Sequence, residues 1–418
     1  MKDAIKTKIL SKRWKKICTS LSNLEFCCGY FENLLDFRNF VDKTLILHDG
    51  SDVREFKLFF HVDDKLISSD HLNAWITFAI QHNVEKLTLD AWYTLRIERF
   101  PSCFFTCSTL SFLSLKSLSN FKWPTSIKFQ FLKCLDLQLV NFHDENVTSK
   151  LFSTSACPIL EHLSIFYCKF NKIHSLSVSF LTLKYLQLRC EHSLTVNLSI
   201  PILPEFDYEC PLPPNISCGT LSSMFNVSLN VYMPNSISGE LEFRNSMRRI
   251  LMGLHNVESL TLSKDIIEIL TRDPDLLTYL PTSYCSLKHF FFIIMPTKSH
   301  VEVIACLLKT SPNLQTLGIR IEEENPTYSD IIHMQGYWQL NELSIAECLK
   351  HLRHVELIDF GGRETEMVIV RRLLESARVL KKIDISYPSE IEKDARMMIS
   401  EKLSSFKRVS PHATIIFL

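Results

Sequence analysis

Glycine is scarce in this sequence, with nine residues in 418. No G-x-x-x-x-G-K and no G-x-G-x-x-G occurs, so there is no motif for a loop that cradles phosphate on its backbone amides. No G-x-S-x-G nucleophile elbow occurs either. Charge of one sign is also missing: 46 Lys and Arg stand against 46 Asp and Glu, for a formal net charge of +0. A neutral chain gives no whole-chain argument for binding nucleic acid. No run reaches the roughly 18 apolar residues of a membrane span. No apolar stretch follows the basic start, as a secretory signal would. The 14 cysteines are therefore expected to be reduced, in a cytoplasmic or nuclear protein that is not secreted. Asn-x-Ser/Thr sequences such as Asn146-Val147-Thr148 then carry no meaning. Cys27-Cys28 and Cys103-x-x-x-Cys107 are the close cysteine pairs, and neither has a second Cys or His pair at zinc spacing. His351 and His354 read as surface imidazoles beside a strand. With no motif for a nucleophile, a metal or a cofactor, the chain is expected not to be an enzyme.

What is abundant is one short pattern. Leu160-x-x-Leu163-x-Ile165-x-x-Cys168 places two apolar residues one apart, which is the period of a strand with one buried face. Cys168 is small and apolar enough to turn inward as the strand ends. The segment is too short to bury that face alone and needs copies of itself on each side. Eleven other frames repeat it, beginning at Val53, Val84, Leu110, Leu132, Leu183, Leu203, Val257, Leu287, Leu314, Leu352 and Leu380. Most steps are near the roughly 20–29 residues of a leucine-rich repeat. The step from 203 to 257 is twice as long, so a degenerate repeat is expected between 208 and 257. The fold class predicted is α/β, a leucine-rich-repeat solenoid, or horseshoe.

Between the strands the spacing predicts short helices. Asp144 to Leu151 puts Val147 and Leu151 on one face. Ser299-His-Val-Glu302 reads as a capping box, and Pro312-Asn313 as the stop of that helix. Phe290 to Met295 reads as a strand buried on both faces. Residues 209–250, with Pro211, Pro213, Pro214 and Pro234, read as a loop or irregular repeat. Near the C-terminus a helix is predicted over 364–378, another over 391–406 and a last strand over 413–418. Cys168 and Cys190 are expected in the core.

In a strand the residue between two inward ones faces out. Those residues are Thr88, Ser114, Asp136, Ser164, Gln187, Thr261, Phe291, Gly318, Glu356 and Asp384. Asp136, Ser164, Gln187, Thr261 and Phe291 are the candidate target-binding residues. The set is mixed, which suits a protein surface or a peptide, and it does not name the target.

The first residues are basic and amphipathic, with Ile5, Ile9, Leu10, Trp14 and Ile17 at helical spacing among lysines. Lys2 to Ile17, with its Leu10-Ser-Lys-Arg-Trp14 core, and the following Leu21-Ser-Asn-Leu24-Glu-Phe26 resemble the second half of a plant F-box. Phe37-Arg-Asn-Phe40-Val-Asp42-Lys-Thr-Leu45 and the run from Trp75 to Leu89 fit the F-box/leucine-rich-repeat family. Leu349-x-x-Leu352, Phe360-x-Gly362 and Leu374-Glu-Ser-Ala377-Arg-Val-Leu380-Lys-Lys look like the FBD domain that follows the repeats in such proteins. The resemblance implies three parts: a partial F-box over 1–26, repeats over 27–335 and an FBD-like domain over 336–418. It implies a substrate receptor of a Skp–cullin–F-box ubiquitin ligase. Ile5, Ile9, Leu10, Trp14 and Ile17 would dock on a Skp-type adaptor, and the repeats would hold a protein target. The family's F-box opens with an apolar helix around a Leu-Pro motif that is not seen here, so weakened or lost adaptor docking is expected. The other reading is a protein-binding scaffold without ligase docking. Neither reading includes a membrane, and a nucleic-acid role would have to rest on Lys12, Arg13, Lys15 and Lys16 alone.

Overall fold

In the computed structural model, residues 19–61, 67–92, 99–118, 121–232, 237–272, 284–322 and 347–418 are described. The chain forms two compact units, Met1–Leu203 and Pro204–Leu418.

The first unit is built on parallel strands: β1 (Asn23–Cys27), β2 (Glu55–His61), β3 (Lys86–Trp92), β4 (Phe112–Lys116), β5 (Cys134–Gln138), β7 (His162–Phe166) and β10 (Tyr185–Arg189). Each strand is joined to the next by a crossover that returns the chain to the same end of the sheet. Two-residue strands β6 (Asn141–Phe142) and β8 (Lys169–Phe170) pair within those crossovers, as do β9 (Ser175–Ser179) and β11 (Thr195–Ser199). Helices α1 (Leu34–Ile46) and α2 (Ser69–Gln81) make the first two crossovers, and α3 (Glu145–Leu151) the one before β7. Asn33 and Ser68 cap α1 and α2 by accepting from backbone N–H groups three residues on, and Asp144 caps α3 through Val147. The Trp75 indole N–H of α2 donates to Asp42 of α1 at 2.7 Å, which pins the two helices together.

The second unit carries β12 (Glu205–Cys210), β14 (Asn226–Val231), β15 (Ser259–Leu262), β16 (His289–Ile294), β17 (Thr316–Ile321), β18 (His354–Ile358), β19 (Lys382–Ile385) and β20 (Thr414–Phe417), again all parallel. Its crossovers hold the two-residue β13 (Asn215–Ile216) and the helices α4 (Cys218–Ser222), α5 (Ile237–Gly253), α6 (Lys264–Arg272), α7 (Lys298–Lys309), α8 (Glu364–Ser376) and α9 (Lys393–Ser404).

All twelve predicted frames are strands. In each, the leucine or its substitute at the three frame positions faces the core; Leu160, Leu163 and Ile165 are each fully buried. The register holds from strand to strand, Leu135 beside Leu163 and Leu163 beside Leu186. A slip of one residue would turn every one of these leucines to the other face. Cys168 and Cys190 are in the core as expected. The degenerate repeat is β14, with Met224, Val227 and Leu229 at the frame positions. The last strand and the last two helices lie where the sequence puts them, to within two residues at most ends.

Several expectations need correction. Leu24 and Phe26, read as part of an F-box remnant, are the inward residues of β1, which pairs with β2 across the boundary drawn at residue 26. Of the two readings of residues 209–250 the irregular repeat is found and the loop is not: the prolines at 211, 213 and 214 lie between β12 and α4, β14 and α5 follow, and Pro234 lies outside the described residues. The cap of α7 is Thr297, whose hydroxyl oxygen accepts from the His300 N–H at 3.4 Å; Ser299 is already inside the first turn. β16 is buried on one face only, with Phe290, Phe292 and Ile294 in the core while Phe291 and Ile293 are half-buried. The strands after residue 335 carry on the same ladder, β17 to β18 to β19 to β20, and the compact units divide at 203 and 204.

Candidate protein-interaction face

Because each strand sends alternate side chains to opposite sides, the face opposite the core is a grid. Its central row in the first unit runs Glu25, Lys57, Thr88, Ser114, Asp136, Ser164, Gln187. In the second unit it runs Asp207, Ser228, Thr261, Phe291, Gly318, Glu356, Asp384, Ile416. Neighbours in a row sit about 4.8 Å apart, the spacing of paired strands. Asp136, Ser164 and Gln187 are thus adjacent in one unit, and Thr261 and Phe291 in the other. The structure brings the five predicted residues together as these two groups.

The rows are knitted by contacts that their own side chains make. The Ser114 hydroxyl donates to Asp136 at 2.8 Å, which buries Ser114. The Tyr185 hydroxyl donates to the Gln187 amide oxygen at 2.9 Å, and the Arg189 guanidinium lies 5.5 Å from the centre of the Phe166 ring. In the second unit the Phe291 ring lies against Gly318, so close that a Cβ there would be 2.2 Å from ring atom Cδ2. The Arg320 guanidinium sits over that ring, 6.0 Å from its centroid. Asp384 Oδ2 meets His354 Nε2 at 2.8 Å and Lys382 Nζ at 2.7 Å. Ser114 and Asp384, expected to be exposed, are therefore buried by their neighbours across the sheet.

Several row members were missed in the sequence. Lys57 and Asp207 stand between the inward pairs Phe56/Leu58 and Phe206/Tyr208, and the same alternation that found the others points to them. Ser228 was hidden by the Met224 frame. Ile5, Ile9, Leu10, Trp14 and Ile17 lie outside the described residues.

Cys134, Cys157 and Cys168 are poor nucleophiles. Burial, with the Asp136 carboxylate beside it, pushes Cys134 up to about 11. Burial alone takes Cys157 to about 12, and burial leads again at Cys168, also about 12. A thiol that stays protonated at neutral pH neither attacks carbonyls nor binds metal readily. Among the described residues no group of three His, Cys, Asp or Glu side chains is placed to hold a metal ion. No described helix is long and apolar enough to cross a membrane.

A mixed α/β chain whose parallel strands stack in one register, each from a L-x-x-L-x-L frame, is a leucine-rich-repeat protein. The chain belongs to the family described as "At1g61320/AtMIF1, LRR domain", which matches residues 44–410. It is similar to curated plant proteins over nearly its whole length. "F-box/LRR-repeat protein At3g59210" of Arabidopsis thaliana is 27% identical over 98% of this chain and 88% of the relative. "F-box/FBD/LRR-repeat protein At1g13570" of the same plant is 26% identical over 100% of this chain and 94% of the relative. "FBD-associated F-box protein At5g38590" is 26% identical over 91% and 88%.

Proposed function

We propose that the chain is a non-enzymatic interaction protein that holds a protein target on the open face of its repeats, and that it serves as the target-binding subunit of a Skp–cullin–F-box ubiquitin ligase. The observation that carries the reading is the row on the open face of each unit: mixed polar, charged and aromatic side chains, already fixed by contacts such as Tyr185–Gln187 in the first unit and Arg320–Phe291 in the second. Side chains held in place before binding lose less entropy when a partner arrives. Asp136, Ser164 and Gln187 in one unit and Thr261 and Phe291 in the other are the contacts assigned to the target. The relatives' names pair F-box with leucine-rich repeats, which supports the ligase part.

Such a protein does no bond chemistry. It binds target and ligase at once, and raises the effective concentration of one near the other. Ile5, Ile9, Leu10, Trp14 and Ile17 are assigned to a Skp-type adaptor. No cofactor and no metal enter this reading, and the cytoplasm or nucleus is the compartment that goes with it.

The test is calorimetry against a purified Skp-type adaptor, with this chain beside a version bearing a grafted complete F-box. Submicromolar binding by either supports the ligase role. Binding by neither removes it and leaves a protein-binding scaffold.

A further inference from the structure

Four strands of the first unit carry a continuous row of outward residues at their C-terminal ends. Lys116, Gln138, Phe166 and Arg189 stand side by side on β4, β5, β7 and β10. The next residue on each of the first three strands, Ser117, Leu139 and Tyr167, is left-handed. Their N–H groups reach the carbonyls of Gln138, Phe166 and Arg189 at 2.8, 2.9 and 2.8 Å, so they form a second row that follows the same register. Leu139 and Tyr167 are neighbours in that row and are 46% and 37% exposed.

The turn itself does not call for a large apolar side chain. Asn or Gly would adopt the same backbone with less strain than leucine or tyrosine. Strain of this kind persists where a side chain is needed for binding. The charge around the pair has one sign. The two rows hold Lys116 and Arg189 and no acid, and the Arg189 guanidinium is held over the Phe166 ring. The nearest acids by register are Asp90, buried beside Lys116 on β3, and Asp136, whose carboxylate takes the Ser114 hydroxyl. In the turns beyond, exposed Lys169 and Glu191 offset one another.

We propose that these two rows are the subsite for an extended acidic segment of the protein target, with acid, apolar and acid side chains at positions i, i+2 and i+4. This rests on the reading of the chain as a target-binding protein. The register sets the spacing. Lys116 and Arg189 are three strand steps apart, about 14 Å at roughly 4.8 Å per step. Leu139, Phe166 and Tyr167 lie midway, on β5 and β7. In an extended peptide, residues two apart share a face and are separated by about 6.7 Å. Two such steps span about 13 Å. An acid at each end then meets Lys116 and Arg189, and the residue between them covers the apolar centre. A helical segment would turn residues two apart to different faces, so the extended form is the one that fits.

A displayed library of random peptides, panned on the full chain, tests this. Enriched peptides should share the acid-x-apolar-x-acid pattern. Their affinity, read by fluorescence anisotropy, should fall several-fold as salt rises through the range where exposed charges are screened. Leu139→Gly and Lys116→Gln should each weaken it about tenfold, with circular dichroism showing both variants folded. Leu181→Ser, an exposed site outside the two rows, should leave it unchanged. Enriched peptides that lack the pattern overturn the proposal. So does binding that Thr261→Lys in the second unit abolishes and Leu139→Gly does not; the target-binding reading survives both results. A single-stranded oligonucleotide that binds these rows more tightly than any enriched peptide also overturns it. No enrichment over the bare support overturns the proposal and the target-binding reading together.

Discussion

The repeats fall into two kinds by their crossovers, and most frame spacings follow the kind; the 28-residue step from Leu135 to Leu163, with the seven-residue α3, lies between them. From Leu113 to Leu135, Leu163 to Leu186, Leu186 to Phe206 and Phe206 to Val227 the steps are 22, 23, 20 and 21 residues, and their crossovers hold no helix longer than the five-residue α4. From Val227 to Leu260, Leu260 to Phe290, Phe290 to Leu317 and Val355 to Ile383 the steps are 33, 30, 27 and 28, and the crossovers hold helices of 17, 9, 12 and 13 residues. The reason is length. A crossover must retrace a strand of about five residues, some 17 Å at roughly 3.3 Å per residue. A helix rises only 1.5 Å per residue, so about eleven residues are needed to cover that distance. A step near 22 residues cannot supply them once strand and turns are subtracted, and the return is made in extended chain, as at β9 and β11. Three successive strands of the first unit also turn sharply at their ends. Ser117, Leu139 and Tyr167, one residue past β4, β5 and β7, have φ of 61°, 55° and 49°. In that left-handed conformation their N–H groups reach the carbonyls of Gln138, Phe166 and Arg189 and extend the ladder by one rung. In the second unit Asp359 is the one described non-glycine residue with positive φ.

The largest test of this comparison is in the core common to both kinds. Leu163→Asp should abolish folding of the first unit, because a buried unpaired carboxylate costs several kcal/mol against a total of about 5–15. Ser164→Asp, one residue away on the open face, should be tolerated. Circular dichroism melts of the two that coincide would show the register to be wrong.

A pair found only between helical crossovers comes next. His300 is fully buried, its Nδ1 accepts the Met295 N–H at 3.3 Å, and its Nε2 meets Glu268 of α6 at 3.0 Å. His300→Ala leaves the Met295 N–H and a Glu268 oxygen without that partner, at about 1–3 kcal/mol. The His300 hydrogen bond is the main cause that holds the Glu268 carboxyl below its ordinary value of 4.5; burial opposes it and Arg272 assists. A carboxylate with a depressed folded pKa stabilises above its unfolded pKa and loses that contribution as pH falls through the folded one. The wild type should therefore lose more stability than His300→Ala on acidification below about pH 4.5. Parallel stability curves for the two proteins would refute this.

A smaller effect is expected on the open face. Gly318→Ala forces a methyl into the Phe291 ring, at about 1 kcal/mol or more. Made together with Phe291→Ala it should cost nothing further, or stabilise slightly because alanine is the less flexible residue in a strand. A double-mutant cycle that shows simple additivity would mean the two residues do not meet.

The smallest effect should be a gain. Leu139→Gly relieves a left-handed leucine that is 46% exposed and so loses little packing, for about 1 kcal/mol of stabilisation. The same change at Leu181, which has no positive φ, should destabilise instead. If both changes shift the denaturation midpoint equally, the left-handed Leu139 stores no backbone strain.

The frame could be read from residues because it rests on the plainest regularity a chain can carry, apolar side chains two apart with a third leading them. That located Leu135, Leu163, Leu186, Leu317 and Ile383 in the core and, by the same alternation, Asp136, Ser164, Gln187, Thr261 and Phe291 on the open face. The alternation was also present at Leu24 and Phe26, but the likeness of that stretch to an F-box drew the eye away from its strand. At β14 a methionine stood where a leucine was sought, and prolines nearby suggested a loop. The cap of α7 could not be chosen between Thr297 and Ser299 from composition, since both residue types cap; the end of β16 at Ile294 and the backbone path from it made Thr297 the one outside the helix.

What the sequence determined by itself is therefore local: which residues form strands, which face of each is apolar, and how long each crossover can be. What tertiary structure decided is pairwise and lies across strands. Ser114 is buried because Asp136, 22 residues away, accepts its hydroxyl. Asp384 is buried because His354 and Lys382 converge on it, and the Phe291 ring can lie against the next strand because Gly318 there has no side chain. A one-dimensional pattern records the period of a strand, but it does not record which neighbour the register sets beside it.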